Sequence, residues 1–191
     1  MAYFKKNRYL TFLVLLLLNI GVGSFFEDQE SAELFSTVSY TLILLSGIYA
    51  FSEEKLILRF SAIFFVFTIL LEWYQFFTVN HAIDTIQPVM TSLVLILLLV
   101  LNLRHITSAR EVNQNVIFGV VSGYVLLGFV GSLLTIAMVV SIPEAYSLPG
   151  IHTPADAIYY SFITMTTLGY GDISPVAPPA RGLAILLSIV G

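Results

Sequence analysis

Long apolar runs separated by short polar stretches dominate the chain and set its predicted elements. Five runs are about 20 residues long, the length that an α-helix needs to cross a bilayer. They are 9–26, 34–51, 60–80, 85–103 and 115–141. Because lipid offers no partner for backbone polar groups, each run predicts a helix. A sixth run, 182–191, would reach only half-way across the hydrocarbon, so we expect a truncated helix there.

The composition of the chain narrows its class. Hydrophobic residues make up 58% and charged residues 10% of the 191 residues, and the mean hydropathy is +0.92, which is too apolar for a soluble domain. The absence of cysteine excludes disulfides, zinc–thiolate sites and cysteine nucleophiles. No basic face, nucleophile–base pair or phosphate loop occurs, so we expect no nucleic-acid partner, no enzymatic activity and no cofactor.

The distribution of basic residues predicts the orientation in the membrane. Short loops with Lys or Arg favour the cytoplasmic side. Such residues precede the first run and follow the second and the fourth, namely Lys5, Lys6, Arg8, Lys55, Arg59, Arg104 and Arg110. The N-terminus is therefore predicted to be cytoplasmic and the segment 143–181 to lie outside. The first run also fits a secretory signal peptide, but its length favours a retained helix.

A shorter segment between the fifth and sixth runs carries signals for the start of a helix. Thr153 is suited to the N-cap, Pro154 to the first helical position and Asp156 to the third. About a dozen residues give a helix of roughly 18 Å, which enters a bilayer without crossing it. We predict a re-entrant helix that other protein segments shield from lipid.

The residues after this short helix, Thr-Leu-Gly-Tyr-Gly-Asp at 167–172, are suited to binding a dehydrated cation. A row of backbone carbonyls can replace the hydration shell of an ion without any fixed charge. Such a row needs a backbone that alternates between ordinary and positive φ, which Gly169 and Gly171 tolerate. Thr167 adds a hydroxyl oxygen at one end. Residues 167–171 are called the filter segment below.

The filter segment and the helix before it resemble the potassium channel pore family, whose pattern is T-[VIL]-G-[YF]-G-D after a short pore helix that ends in Thr-Thr. The resemblance implies that K⁺ is the permeant ion. It implies that the carbonyls of four residues, with the hydroxyl of the first, bind K⁺: Thr167, Leu168, Gly169 and Tyr170. Gly171 completes the filter segment, and Thr166 supports it from the end of the pore helix.

The same resemblance assigns supporting roles to residues around the filter segment. In the family an outer carboxylate, here Asp172, bonds to a pore-helix aromatic, here Tyr159 where Trp is more usual. Gly191 stands at the position of the family's hinge glycine. The resemblance covers 115–191 and implies a homotetramer, because one chain supplies one filter segment and a closed ring of carbonyls needs four.

Several residues in the apolar runs allow two interpretations. The first four helices could form a voltage sensor, but 85–103 contains no Lys or Arg, which argues against voltage gating through charged residues. Glu72 is either a functional acid inside the membrane or, as we favour, a headgroup-level residue in an outer aromatic belt. His81, His105 and His152 show no metal-ligand spacing and are expected at the surface.

Together these signals predict an all-α membrane protein in two parts. Residues 1–112 form an N-terminal region of four transmembrane helices, and 113–191 form a pore domain of outer helix, re-entrant pore helix, filter segment and truncated inner helix. The expected function is passive K⁺ conduction. A nonselective cation channel and a non-conducting regulatory subunit are the alternatives. The compact loops suggest that the protein lies in a plasma membrane, namely a bacterial inner membrane.

Overall fold

The computed structural model describes residues 8–23, 25–26, 29–51, 55–78, 81–109, 111–142, 144–147 and 150–191. Helices follow one another through the described part: α1 (Arg8–Gly23), α2 (Gln29–Ala50), α3 (Lys55–Phe77), α4 (His81–Ser108), α5 (Gln114–Ser141), α6 (Pro154–Met165) and α7 (Pro178–Val190). The predicted all-helical architecture is confirmed for these residues.

Within the described residues, three helices are long and apolar enough to cross a membrane. The spans are Glu33–Ala50 in α2, Ile83–Ser108 in α4 and Gln114–Ser141 in α5. The described residues of α1, Arg8–Gly23, extend about 24 Å at 1.5 Å per residue. In α3 the apolar part with described side chains is Ile63–Phe77. Four N-terminal transmembrane helices therefore stay a prediction.

Helix α5 lies at the centre of the fold and contacts α1, α4, α6 and α7. Small residues on its surface permit close approach, as is usual between membrane helices. Asn102 of α4 lies against Gly119 and Gly123, where a Cβ would come within 3.1 Å and 3.0 Å of its side-chain amide. The buried Asn102 Nδ2 donates to the Gly119 carbonyl at 2.7 Å, which ties α4 to α5.

An apolar core joins α1, α2 and α4 to α5. Large side chains from all four helices are almost completely buried in it, and packing contacts of this kind hold membrane helices together. The set includes Phe12, Leu16, Ile43, Leu44, Leu95, Leu98, Leu126 and Phe129. The N-terminal helices and the start of the predicted pore domain thus share one core.

The position of Glu72 in α3 corrects the expectation that it lies among lipid headgroups. Its side chain is only 8% exposed and accepts a hydrogen bond from Gln87 of α4, whose amide also contacts Thr91 at 3.2 Å. Tyr74, two residues later, is 49% exposed and faces outward. Glu72 therefore faces α4 and links α3 to it, whereas Tyr74 lies on another side of α3.

The histidines differ from one another in their surroundings. His105 is partly buried and stacks on the ring of Tyr9, with 4.3 Å between the ring centroids, so the expectation of a surface position is wrong for it. His152 is exposed, as expected, whereas the side chain of His81 lies outside the described residues. Within the described part of the chain, no three His, Cys, Asp or Glu residues are grouped to hold a metal ion.

Candidate functional site

The start of α6 carries the cap that its sequence predicts. Thr153 Oγ1 accepts a hydrogen bond from the Asp156 backbone N–H at 3.2 Å, and Asp156 Oδ2 accepts one from the Thr153 N–H at 2.8 Å. Pro154 occupies the first helical position. This reciprocal pair satisfies two backbone donors that the helix itself leaves free. The predicted start of the short helix is confirmed.

The end of α6 leads directly into the filter segment. Thr166 caps the helix, because its N–H and its Oγ1 both donate to the Phe162 carbonyl, at 2.9 Å and 2.7 Å. The Thr167 N–H donates to the Thr164 carbonyl at 3.0 Å, and the Gly169 N–H donates back to Ile163 at 3.0 Å. The last carbonyls of α6 therefore hold the backbone that follows.

The backbone of the filter segment has positive φ at every second residue. The angle is 57° at Thr167, 53° at Gly169 and 80° at Gly171. Positive φ at the two glycines is the predicted conformation, but sequence reasoning missed Thr167. A β-branched residue rarely adopts such an angle, and holding it there stores roughly 1–3 kcal/mol. The strain indicates that the surrounding structure dictates this conformation.

The side chains of the filter segment point away from their own subunit. Leu168 is 56% exposed and Tyr170 is 68% exposed. Neither glycine has an atom within 4 Å of the position that a Cβ would take. In a single chain the filter segment is therefore exposed on the side away from α6.

Tyr159 and Asp172 lie in contact at the outer end of the segment. The resemblance to the potassium channel pore family had paired these two residues. Tyr159 Oη donates to Asp172 Oδ2 at 2.6 Å. This hydrogen bond raises the pKa of Tyr159 to about 12 and lowers the pKa of the Asp172 carboxyl below its ordinary value. The bond is exposed and ties the end of the filter segment to α6.

A loop before α6 supports the chain beyond the filter segment, and sequence reasoning missed it. The Ser147 N–H donates to the Ser174 carbonyl, and the Val176 N–H donates to the Ala145 carbonyl, both at 2.8 Å. Tyr146 packs edge-on against Tyr160 of α6, with 4.9 Å between ring centroids. Residues 145–147 and 174–176 thus pair with each other and hold the outer end of the filter segment against α6.

A second missed contact anchors the middle of α6 to α5. Ser161 Oγ donates to the Gly128 carbonyl at 2.7 Å, and Ser161 is fully buried. The glycines of α5 were visible in the sequence. Their partner was not, because no spacing rule links residues 33 positions apart in two helices.

Gly191 follows α7 and lies against the end of α6. A Cβ on this residue would come within 2.7 Å of the Met165 carbonyl carbon, so only glycine fits at this contact. Helix α7 itself begins at Pro178, earlier than the predicted run of 182–191, because proline is suited to the first helical position. The proposed hinge at Gly191 stays a prediction.

The region of the site is similar to known ion channels. Residues 119–191 match a family described as ion channel. The chain is 42% identical over 40 residues to two pore potassium channel c of Oryza sativa subsp. japonica, which is 21% of this chain and 9% of that protein. It is 38% identical over 48 residues to two-pore potassium channel 5 of Arabidopsis thaliana, 25% and 12% of the two chains.

A third relative agrees with these two. Two-pore potassium channel 2 of Arabidopsis thaliana is 35% identical over 48 residues, 25% of this chain and 11% of that protein. The matches span about a tenth of the length of these relatives. No solved structure matches the chain with comparable significance. Residues 119–191 therefore match an ion channel family, and about a quarter of the chain is similar to plant two-pore potassium channels.

Proposed function

We propose that the chain is one subunit of a homotetramer that conducts K⁺ passively across the plasma membrane. The observation that carries the proposal is positive φ at residues 167, 169 and 171, directly after a capped short helix. This alternation turns successive carbonyls toward one side, where they replace the water around a cation. No side chain between residues 167 and 171 carries a charge, so carbonyl dipoles do the coordination.

The ligands in this proposal are backbone oxygens of four consecutive residues. The carbonyls of Thr167, Leu168, Gly169 and Tyr170 bind K⁺, and the hydroxyl of Thr167 adds an oxygen at the inner end. The C-terminal end of α6 carries the negative end of the helix dipole. Because the filter segment follows this end of α6, the field there favours cations over anions.

The tetramer follows from what a single chain leaves incomplete. One subunit supplies one filter segment, whereas an axial ion needs a closed ring of oxygens. The filter segment and α7 both carry exposed apolar side chains, namely Leu168, Tyr170, Ile185, Leu186 and Ile189. Neighbouring subunits and lipid cover such side chains in an assembled channel.

The proposed topology places the N-terminus in the cytoplasm and four helices before the pore. The support is the repeated occurrence of Lys and Arg before the first apolar run and after the second and fourth. Residues 85–103 lack the basic residues that a voltage sensor needs, so we propose gating by another stimulus. A bacterial inner membrane as the location stays a prediction.

The test is the reversal potential of the purified full-length protein in a planar bilayer, with KCl on one side and NaCl on the other. We expect a reversal close to the potassium limit, and a tetramer by cross-linking. Clear current that reverses near zero would favour the nonselective cation channel. A chain that gives no current alone but suppresses the current of a complete relative would favour the regulatory subunit.

From the bond between Tyr159 and Asp172 we predict how ion selectivity depends on pH. A carboxyl with a lowered pKa contributes stability above its ordinary pKa of about 3.9 and loses it as the pH falls through the folded value. The raised pKa of Tyr159 keeps its hydroxyl protonated until the pH approaches 12. Tyr159→Phe should return the pKa of Asp172 toward normal, so acid should impair selectivity at a higher pH than in the wild type.

The measurement is the reversal potential while the outer solution is acidified stepwise from neutral pH. Tyr124→Phe is a matched control, because Tyr124 of α5 is 38% exposed and Tyr159 is 37% exposed. Its acid profile should follow the wild type. Coincident profiles for Tyr159→Phe and the wild type would show that the bond does not support the filter segment.

A further inference from the structure

Helix α5 presents two glycines at the point where it meets α6 and α7. A Cβ on Gly128 would lie 2.6 Å from ring carbons of Phe162, and one on Gly131 would lie 2.6 Å from Leu187 Cδ2 and closer still to Ser161 Oγ. At distances of this length a side chain would force the neighbouring atoms to shift. We call Gly128 and Gly131 the glycine notch, and all three helices of the predicted pore domain meet there.

A polar contact across this notch is made by Ser161 of α6. Its hydroxyl is fully buried and donates to the Gly128 carbonyl of α5 at 2.7 Å. Buried serines in helices commonly bond a carbonyl of their own preceding turn. Ser132 of α5 does this, donating to Phe129 at 2.9 Å. The bond of Ser161 instead joins two helices, so it resists sliding of α6 along α5.

If α6 slid along α5, the filter segment would move with it, because the two are joined by hydrogen bonds. Ile163 and Thr164 are within one turn of Ser161, and their carbonyls accept the N–H groups of Gly169 and Thr167 at 3.0 Å each. These two residues have positive φ and carry the proposed ion ligands. A site of this kind needs its ligands held within about 0.5 Å. The depth of α6 against α5 therefore sets the geometry of the carbonyls.

We propose that Ser161 is a positioning residue for ion selection, which acts through its bond to Gly128 and touches no ion. The inference rests on the proposed function and deepens it, because it assigns part of the control of ion selectivity to α5. The glycine notch brings the helices close enough for the bond, and the bond fixes how deep α6 sits.

Removal of the Ser161 hydroxyl tests the proposal. Ser161→Ala should raise the ratio of Na⁺ to K⁺ permeability by about 2- to 10-fold, the factor expected for one lost hydrogen bond. The tetramer should persist on size exclusion. Ser161→Cys keeps the size with a weaker donor and should give an intermediate ratio. It also decides the question if Ser161→Ala fails to assemble.

The matched control is Ser132→Ala, which removes a fully buried hydroxyl that donates within α5 and lies beside Tyr40 of α2. Its permeability ratio should equal that of the wild type. A selective wild type with an unchanged Ser161→Ala variant would overturn this inference alone, and so would equal losses in the Ser161 and Ser132 variants. A wild type without selectivity would overturn the proposed function and this inference with it.

Discussion

Gly171→Ala should raise the ratio of Na⁺ to K⁺ permeability by about tenfold or more. The φ angle of Gly171 is +80°, and a Cβ in the left-handed region costs roughly 1–2 kcal/mol per residue against the carbonyl oxygen. About 1.4 kcal/mol corresponds to a factor of ten, and every subunit of the proposed tetramer would carry the change. The backbone relieves the strain by rotating the peptide after Tyr170, which moves a proposed ion ligand out of line.

The permeability ratio from bi-ionic reversal potentials measures this effect. Gly21→Ala is the control, because Gly21 lies in α1 and has nothing within 4 Å of an added Cβ. It should leave the ratio unchanged. If Gly171→Ala forms tetramers that select K⁺ as well as the wild type does, the conformation at this residue is not the basis of selectivity.

The second large effect concerns folding. Gly128→Val should destabilise the protein by about 1–3 kcal/mol or more, the usual cost of forcing extra atoms into a packed core. Its Cβ would meet the ring of Phe162, and that ring packs edge-on against Phe129 at 6.2 Å. We expect a lower melting temperature in detergent and a smaller yield of tetramer.

A double variant separates this steric effect from a general intolerance of α5. Phe162→Ala opens the space opposite Gly128, so Gly128→Val should cost less in the Phe162→Ala background than in the wild type. Gly182→Ala, in α7, has no atom within 4 Å of the added Cβ and should not lower the melting temperature. Equal costs in both backgrounds would show that the Phe162 contact does not limit residue 128.

The parts of the fold that were predictable from the sequence depend on short-range chemistry. The apolar run 115–141 corresponds closely to α5, Gln114–Ser141, because lipid tolerates a long apolar backbone only as a helix. The start of α6 followed from Thr153, whose cap depends on a residue only three positions away. Positive φ at the glycines of the filter segment was likewise predicted from the residue type.

The features that were missed depend on which face of a helix meets which neighbour. Helix α3 is apolar on most sides, so its sequence does not distinguish its lipid face from its protein face. For that reason Glu72 was placed among headgroups although it bonds to Gln87. The strain at Thr167 was also invisible, because threonine does not favour positive φ and adopts it only under external constraint.

The sequence by itself determined the membrane environment, the helical class, the capped short helix and the segment that resembles a potassium filter. Local composition and spacings of a few residues carry all of these. The tertiary structure alone decided that Ser161 reaches Gly128 and that Asn102 reaches Gly119. Such contacts depend on the depth and rotation of packed helices, and side-chain shape across the whole interface sets both.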